Sequence, residues 1–260
     1  MIWDIDPVLL NLGPLQIHWY GVFFATAILS GFQLMKWIYK NDGRSTESLD
    51  SLFIYVVVGV IVGARLGHCL FYDPVYYLSN PLKILAIREG GLASHGGGLG
   101  AILAVMLYQK KHKEEFLWVL DRLTLPTALF GFFVRMGNFM NSEILGKPSD
   151  VSWAITFSRI DNLPRHPTQL YESISYLLIF FVMLILYKTQ KIKERTGVLL
   201  GAFLCLVFST RFAIELVKEA QATWSAGIPL NTGQLLSIPF LCVGLFLVVR
   251  SIGKPENVAK

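Results

Sequence analysis

An all-α bundle of seven membrane-spanning helices is the architecture expected of this chain. Hydrophobic residues make up 53% of its 260 residues and charged residues 16%, whereas a soluble domain carries about 25% charged residues. The apolar residues gather in runs long enough to cross a bilayer, which takes roughly 20 residues. Most of the basic residues fall in every second gap between those runs, and the other gaps hold fewer, mostly balanced by acids.

Taken in order, the runs lie at about 15–36, 51–72, 91–109, 115–139, 168–188, 197–217 and 230–250. The third is interrupted by Ser94, His95 and a glycine cluster, and the fourth carries Asp121 and Arg122. Lys36, Lys40 and Arg44 follow the first run, and Lys110, Lys111 and Lys113 the third. Lys188, Lys191, Lys193 and Arg195 follow the fifth, and Arg250, Lys254 and Lys260 the seventh. Loops rich in Lys and Arg stay in the cytoplasm, so the N-terminus is expected outside and the C-terminus in the cytoplasm. The net charge of +5 is then a matter of topology and contact with anionic lipid, and no nucleic acid is expected as a partner. No Lys or Arg precedes Lys36, so the first run is expected to stay as a span and not as a cleaved signal. Residues 1–260 are expected to form a single integral membrane domain. Segment 141–167, with Pro148, Pro164 and Pro167, is expected as an extracytoplasmic loop able to cap a site. Segment 73–90 has the aromatic, amphipathic character of an interfacial helix. Cys69, Cys205 and Cys242 all lie in apolar runs and are read as small apolar residues. No metal-ligand spacing is seen and no metal or cofactor is expected.

Ionisable residues inside spans cost at least a few kcal/mol and point to function. Here they are Arg65, His68, His95, Arg135, Glu172, Arg211 and Glu215, joined by the polar Tyr20 and Asn138. With the N-terminus outside, six helices place these groups in the outer leaflet. Each has a plainer reading. Arg65 or Arg211 can snorkel to the interface. Arg211 and Glu215 can form an i,i+4 pair. Tyr20 can belong to an aromatic belt, and His95 can be a packing residue. Asp121 and Arg122, toward the cytoplasmic side, are read as structural. It is the convergence of the others that argues for a site. The glycine-rich stretch 90–100 allows either close approach to a ligand or close helix packing. Arginine binds phosphate through a planar fork, so several arginines facing one outer cavity suit a phospholipid head group.

The stretch Arg135-Met136-Gly137-Asn138-Phe139-Met140-Asn141-Ser142-Glu143-Ile144-Leu145-Gly146 closely resembles the signature of bacterial prolipoprotein diacylglyceryl transferases. Further resemblances to that family occur in the same order along nearly the whole chain. They are His18-Trp19-Tyr20-Gly21, Gly63-Ala64-Arg65, Ser94-His95-Gly96-Gly97, His166-Pro167-Thr168-Gln169-Leu170-Tyr171-Glu172, and Arg211-Phe212 with Glu215. Two positions depart from the family pattern: Val134 stands where glycine is expected and Val207 where tyrosine is expected.

The resemblance implies an enzyme of the bacterial cytoplasmic (inner) membrane with its active site toward the outer face. It would transfer the diacylglyceryl group of phosphatidylglycerol to the lipobox cysteine of a preprolipoprotein, forming a thioether and releasing glycerol phosphate. Thiolate is the reactive form of a thiol, and His95 is the expected base. Arg135 and Arg211 are expected to stabilise the leaving phosphate. Substrate-binding roles are expected for Tyr20, Arg65, Asn138, Asn141, Glu143, Gly146, Glu172 and Glu215, with Glu143 and Glu215 orienting arginines. A transporter would also carry intramembrane charge, but its polar groups would gather at the midplane. A retinal-type receptor needs a lysine in the last span, and 230–249 has none. A metalloprotease motif of the HExxH kind is absent. A different phospholipid-head-group transferase remains the second enzymatic reading.

Overall fold

The computed structural model describes residues 1–86, 90–91, 93–189, 195–219 and 230–252. Eight α-helices account for most of these: α1 Trp19–Asn41, α2 Leu49–Phe71, α3 Pro74–Ser79, α4 Ser94–His112, α5 Phe116–Asn141, α6 Thr168–Lys188, α7 Val198–Ile214 and α8 Thr232–Ile252. All but α3 coincide with the seven apolar runs. Five of them (α1, α2, α5, α6 and α8) are long and apolar enough to cross a membrane. Of the other two, α7 is apolar but has 17 residues, and α4 is diluted by its glycines and by Lys110, Lys111 and His112 at its end.

The all-α expectation needs correcting at the edges of the bundle, where short strands appear. They are β1 Ile2–Trp3, β2 Val8–Leu12, β3 Leu15–His18, β4 Ile155–Phe157 and β5 Pro164–Arg165. The first helix therefore begins at Trp19 and not near residue 15. Leu15–His18 instead pairs antiparallel with β2 across a two-residue turn, in which Gly13 takes a positive φ of 73° as a tight hairpin turn requires. Strands of two to five residues are too short to leave an alternating signature. In the second sheet β1 runs parallel to β4, and β4 antiparallel to β5.

The chain divides into two compact units, Met1–Leu34 with Asp121–Lys260, and Met35–Leu120. In the second of these, α2 and α4 lie against each other along glycines four residues apart. A Cβ on Gly100 would come 2.0 Å from the Gly59 carbonyl oxygen, and one on Gly63 2.4 Å from that of Gly96. Backbones this close leave no room for any side chain, so close packing is what these glycines provide here. Segment 73–90 forms α3 and a 3-10 turn at Pro81–Leu85, while its residues 87–89 lie outside the described residues. Leu78, Leu82 and Leu85 on it are all exposed.

In the larger unit, segment 141–167 is folded and contains β4 and β5. Phe139, Met140, Leu145, Ile155 and Phe157 form a buried cluster, against which Trp3, Trp19, Phe23 and Leu170 pack. Asp121 is fully buried and accepts hydrogen bonds from the backbone N–H groups of Gly197 (2.6 Å) and Leu200 (2.7 Å). It therefore caps the start of α7 from another helix, in keeping with its structural reading.

Candidate active site

The site builds up from an interlock between two of the sequence motifs. The chain leaves α5 at Asn141 and turns sharply, with Ser142 and Ile144 both at positive φ, 56° and 58°. That conformation is unusual for any residue with a side chain and strained for a β-branched one. It is held from the far side by the start of α6: Thr168 Oγ1 donates to the Ile144 carbonyl at 2.9 Å, and Gln169 Nε2 donates to that of Glu143. Both residues are fully buried. Gly146 then crosses His166 so closely that a Cβ would meet the His166 carbonyl oxygen at 2.4 Å. The same short stretch pairs on its other side with the chain after α7. Lys147 donates its backbone N–H to Val217, and Glu219 donates its own to Leu145. Arg165, nearly buried, spans this junction. It pairs with Asp161 and donates to the Gly146 carbonyl at 3.1 Å and to Glu219 at 2.9 Å.

Through this junction two cationic side chains, Arg135 and Lys218, meet at Glu172, itself buried near the start of α6. Arg135 Nε lies 3.0 Å from its Oε2, within ion-pair distance though not aligned as a hydrogen bond. Lys218 Nζ donates to its Oε1 at 3.1 Å and lies 3.8 Å from Glu215 Oε2. Arg135 also donates to Asn138 Oδ1 at 3.3 Å. Asn138 and Asn141 in turn donate to the two oxygens of Glu143 at 3.0 and 3.1 Å. Tyr20, at the start of α1, lays its ring over Gly137, where a Cβ would come within 2.8 Å. The charges of Glu143 and Arg135 act on its hydroxyl.

Lys218 is the member that sequence reading missed. It stands four residues past the end of α7 and reads there as an ordinary loop lysine, yet it is 3% exposed. Burial pushes its ammonium below the usual lysine value, and Glu172 pulls it back up. Its signal was Glu215 three residues earlier, but the pairing that buries both comes from the distant Leu145–Lys147 turn.

Arg211 differs from its neighbours. It makes no ion pair with Glu215, which faces Lys218, and its buried Nε has no partner among the described residues. It lines a small cleft between α6 and α7 with Glu172, Tyr176, Val207 and Thr210. Glu172, Ser175, Tyr176, Thr210 and Arg211 make its lining polar, and Ile179, Val207 and Ile214 add apolar surface.

These residues all belong to the larger unit. Arg65, His68 and His95 belong to the other. Arg65 is buried and its three guanidinium nitrogens donate to backbone carbonyls: Nε to Ile84 at 2.9 Å, one terminal nitrogen to Lys83 at 2.6 Å, and the other to Gly90 and Gly91. Its donors thus brace the segment after α2. His68 stacks on Tyr72. His95 lies in the first turn of α4, half-buried and already engaged in an interaction. Among the described residues no three of His, Cys, Asp and Glu come together as a metal-ligand set.

Comparison with known proteins gives the family. The model of the family "Prolipoprotein diacylglyceryl transferase" matches residues 7–250. The chain belongs to the prolipoprotein diacylglyceryl transferase family. It is 54% identical to the phosphatidylglycerol–prolipoprotein diacylglyceryl transferase of Tolumonas auensis, with 96% of this chain and 97% of that protein covered. The enzyme of the same name from Chloroherpeton thalassium is 49% identical, with 98% and 96% covered. That of Porphyromonas gingivalis is 43% identical, with 97% and 95% covered. The similarity to these relatives thus extends over nearly the whole chain.

Proposed function

We infer that this chain is a prolipoprotein diacylglyceryl transferase, moving the diacylglyceryl group of phosphatidylglycerol to the lipobox cysteine of a preprolipoprotein. Family membership carries the reading, and the cleft supports it. An arginine whose Nε has no partner among the described residues, in a cleft with both polar and apolar lining, suits a phosphate-bearing lipid head group.

In the reaction the cysteine sulfur bonds to the terminal carbon of the diacylglyceryl unit. The carbon–oxygen bond to phosphate breaks, its electron pair moves onto the phosphate oxygen, and glycerol phosphate leaves. Charge grows on that oxygen, so a fixed cation beside it lowers the barrier. Arg211 and Arg135 are the proposed cations. Glu172 holds Arg135 in place, and Lys218 offsets the second buried negative charge, that of Glu215. Asn138 and Asn141 hold Glu143, and Gly146 sets the turn that carries them. Tyr20 offers a hydroxyl at the edge of this group. Arg65 is assigned an indirect part, bracing the segment after α2. His95 is assigned the thiol proton on residue type and motif. His95→Gln is expected to lose turnover while retaining lipid binding. Loss of lipid binding in that variant would make His95 a positioning group instead.

Membership of the bacterial inner membrane, seven spans with α4 and α7 included, an outer N-terminus, a cytoplasmic C-terminus, and a cap and cleft on the outer face complete the proposal. The whole chain then acts as one integral membrane domain with 141–167 as its extracytoplasmic cap. The first test is reconstitution of the purified protein with phosphatidylglycerol and a lipobox peptide, with a Cys→Ser peptide as control. A diacylglyceryl adduct seen by mass spectrometry on the thiol peptide alone is the expected product. Folded, lipid-bound protein that gives no adduct would refute the reading.

A further inference from the structure

The cleft between α6 and α7 contains five polar side chains, and most are already satisfied. Ser175 and Thr210 donate their hydroxyls to carbonyls of their own helices, Tyr171 and Leu206, each at 2.7 Å. Glu172 is engaged by Arg135 and Lys218. That leaves Arg211, whose buried Nε has no partner among the described residues, and Tyr176, whose hydroxyl is in no hydrogen bond found among them.

Tyr176 is held firmly. It follows Glu172 by four residues on α6, so both face the same way. Its ring lies over Gly131 of α5, where a Cβ would come 2.7 Å from a ring carbon. The charges of Arg135, Glu172 and Arg211 act on its hydroxyl. A rigid phenol beside an arginine, with neither donor satisfied, needs an acceptor from outside. An anionic phosphoryl oxygen is the acceptor that suits both.

We propose that Tyr176 is a substrate-contacting residue: with Arg211, its hydroxyl donates a hydrogen bond to the phosphodiester of the lipid donor and keeps it as the glycerol phosphate leaves. This rests on the transferase reading and names a further donor within it. The position also answers a departure in the sequence. Val207, where the family resemblance leads one to expect a tyrosine, lines the same cleft one turn before Arg211. Tyr176 brings a phenol to that cleft from the facing helix.

The test compares wild type, Tyr176→Phe and the double variant Tyr176→Phe with Val207→Tyr in the reconstituted assay, with thermal unfolding alongside. Phenylalanine keeps the ring on Gly131 and removes the hydroxyl alone. Loss of one donor to developing charge is expected to lower kcat by roughly 10- to 100-fold, with the KM for phosphatidylglycerol changing less and the melting transition unchanged. Val207→Tyr is expected to restore part of that loss. A Tyr176→Phe enzyme with kcat within about twofold of wild type, or a loss that Val207→Tyr leaves untouched, would overturn the proposal. Should Tyr176→Phe fail to fold, fluorotyrosine in place of Tyr176 gives the same reading, because it keeps the shape and acidifies the hydroxyl. An altered pH–rate profile supports donation and an unaltered one overturns it. A wild-type protein that makes no adduct refutes the transferase reading itself. An active wild type with a normal Tyr176→Phe refutes only this inference.

Discussion

Arg65 and Arg211 both stand near the ends of apolar helices, and their surroundings are opposite. Arg65 is buried with its donors on four carbonyls of the segment after α2. Arg211 keeps a buried nitrogen without a partner among the described residues, on a cleft. Each follows the unit it sits in. The unit of α2 and α4 is fitted by volume, glycine on glycine, with its arginine used as a brace. The unit of α5, α6 and α7 is fitted by charge, with Arg135 and Lys218 set against Glu172 and Glu215. Burial alone thus does not mark an arginine in an apolar helix as functional; what its donors already hold distinguishes these two.

The sharpest break of this contrast is at Lys218. Replacing it by methionine leaves the Glu215 and Glu172 carboxylates with one fewer cation in a buried site. Removing one partner of a buried ion pair costs about 3–5 kcal/mol, so Lys218→Met is expected to show the largest fall in unfolding temperature. A melting curve in detergent close to wild type would mean that the cluster is hydrated and not charge-fitted.

Arg211→Lys separates the two arginines. Lysine keeps the charge and loses the fork. Turnover is expected to fall about 100-fold, equivalent to about 2.7 kcal/mol of transition-state stabilisation, with stability unchanged. Arg65→Lys is expected to do the reverse, lowering the melting temperature while the folded fraction stays active. Equal effects at both positions would erase the distinction between brace and open donor.

Gly100→Ala tests the volume-fitted unit. The added Cβ would lie 2.0 Å from the Gly59 carbonyl oxygen, so the helices must separate, and overpacking costs about 1–3 kcal/mol. Thermal unfolding measures it. A neutral substitution would show that α2 and α4 can part without loss.

The helices were legible in the sequence because each is a long apolar run, and the charged residues of α5, α6 and α7 were legible because they interrupt such runs. Arg135, Asn138, Glu143 and Glu172 do come together, and the motif spacing already joined the first three. What escaped was set by contacts between distant segments. Leu15–His18 looks like a helix start until Val8–Leu12 pairs with it. Lys218 looks solvated until Leu145 and Lys147 fold over the chain beside it. Arg65 looks like a phosphate ligand until the carbonyls of Lys83, Ile84, Gly90 and Gly91 are brought to it. In each case the deciding partner is a backbone group, which residue type does not reveal.

Asp121→Asn probes the charge-fitted unit away from its cleft, and the expected effect is the smallest. Asp121 caps α7 from α5 by accepting two backbone N–H groups, Gly197 on one oxygen and Leu200 on the other. Asparagine keeps one acceptor, presents a donor in place of the other, and removes a negative charge from a helix N-terminus, which costs about 1 kcal/mol. Arg211 lies 14 residues along the helix from Gly197, roughly 20 Å at the α-helical rise. The loss should therefore appear in the melting temperature and not in turnover. If turnover falls while the melting temperature holds, the cap sets where α7 stands, and the open donor at Arg211 owes its place to a carboxylate at the opposite end of its helix.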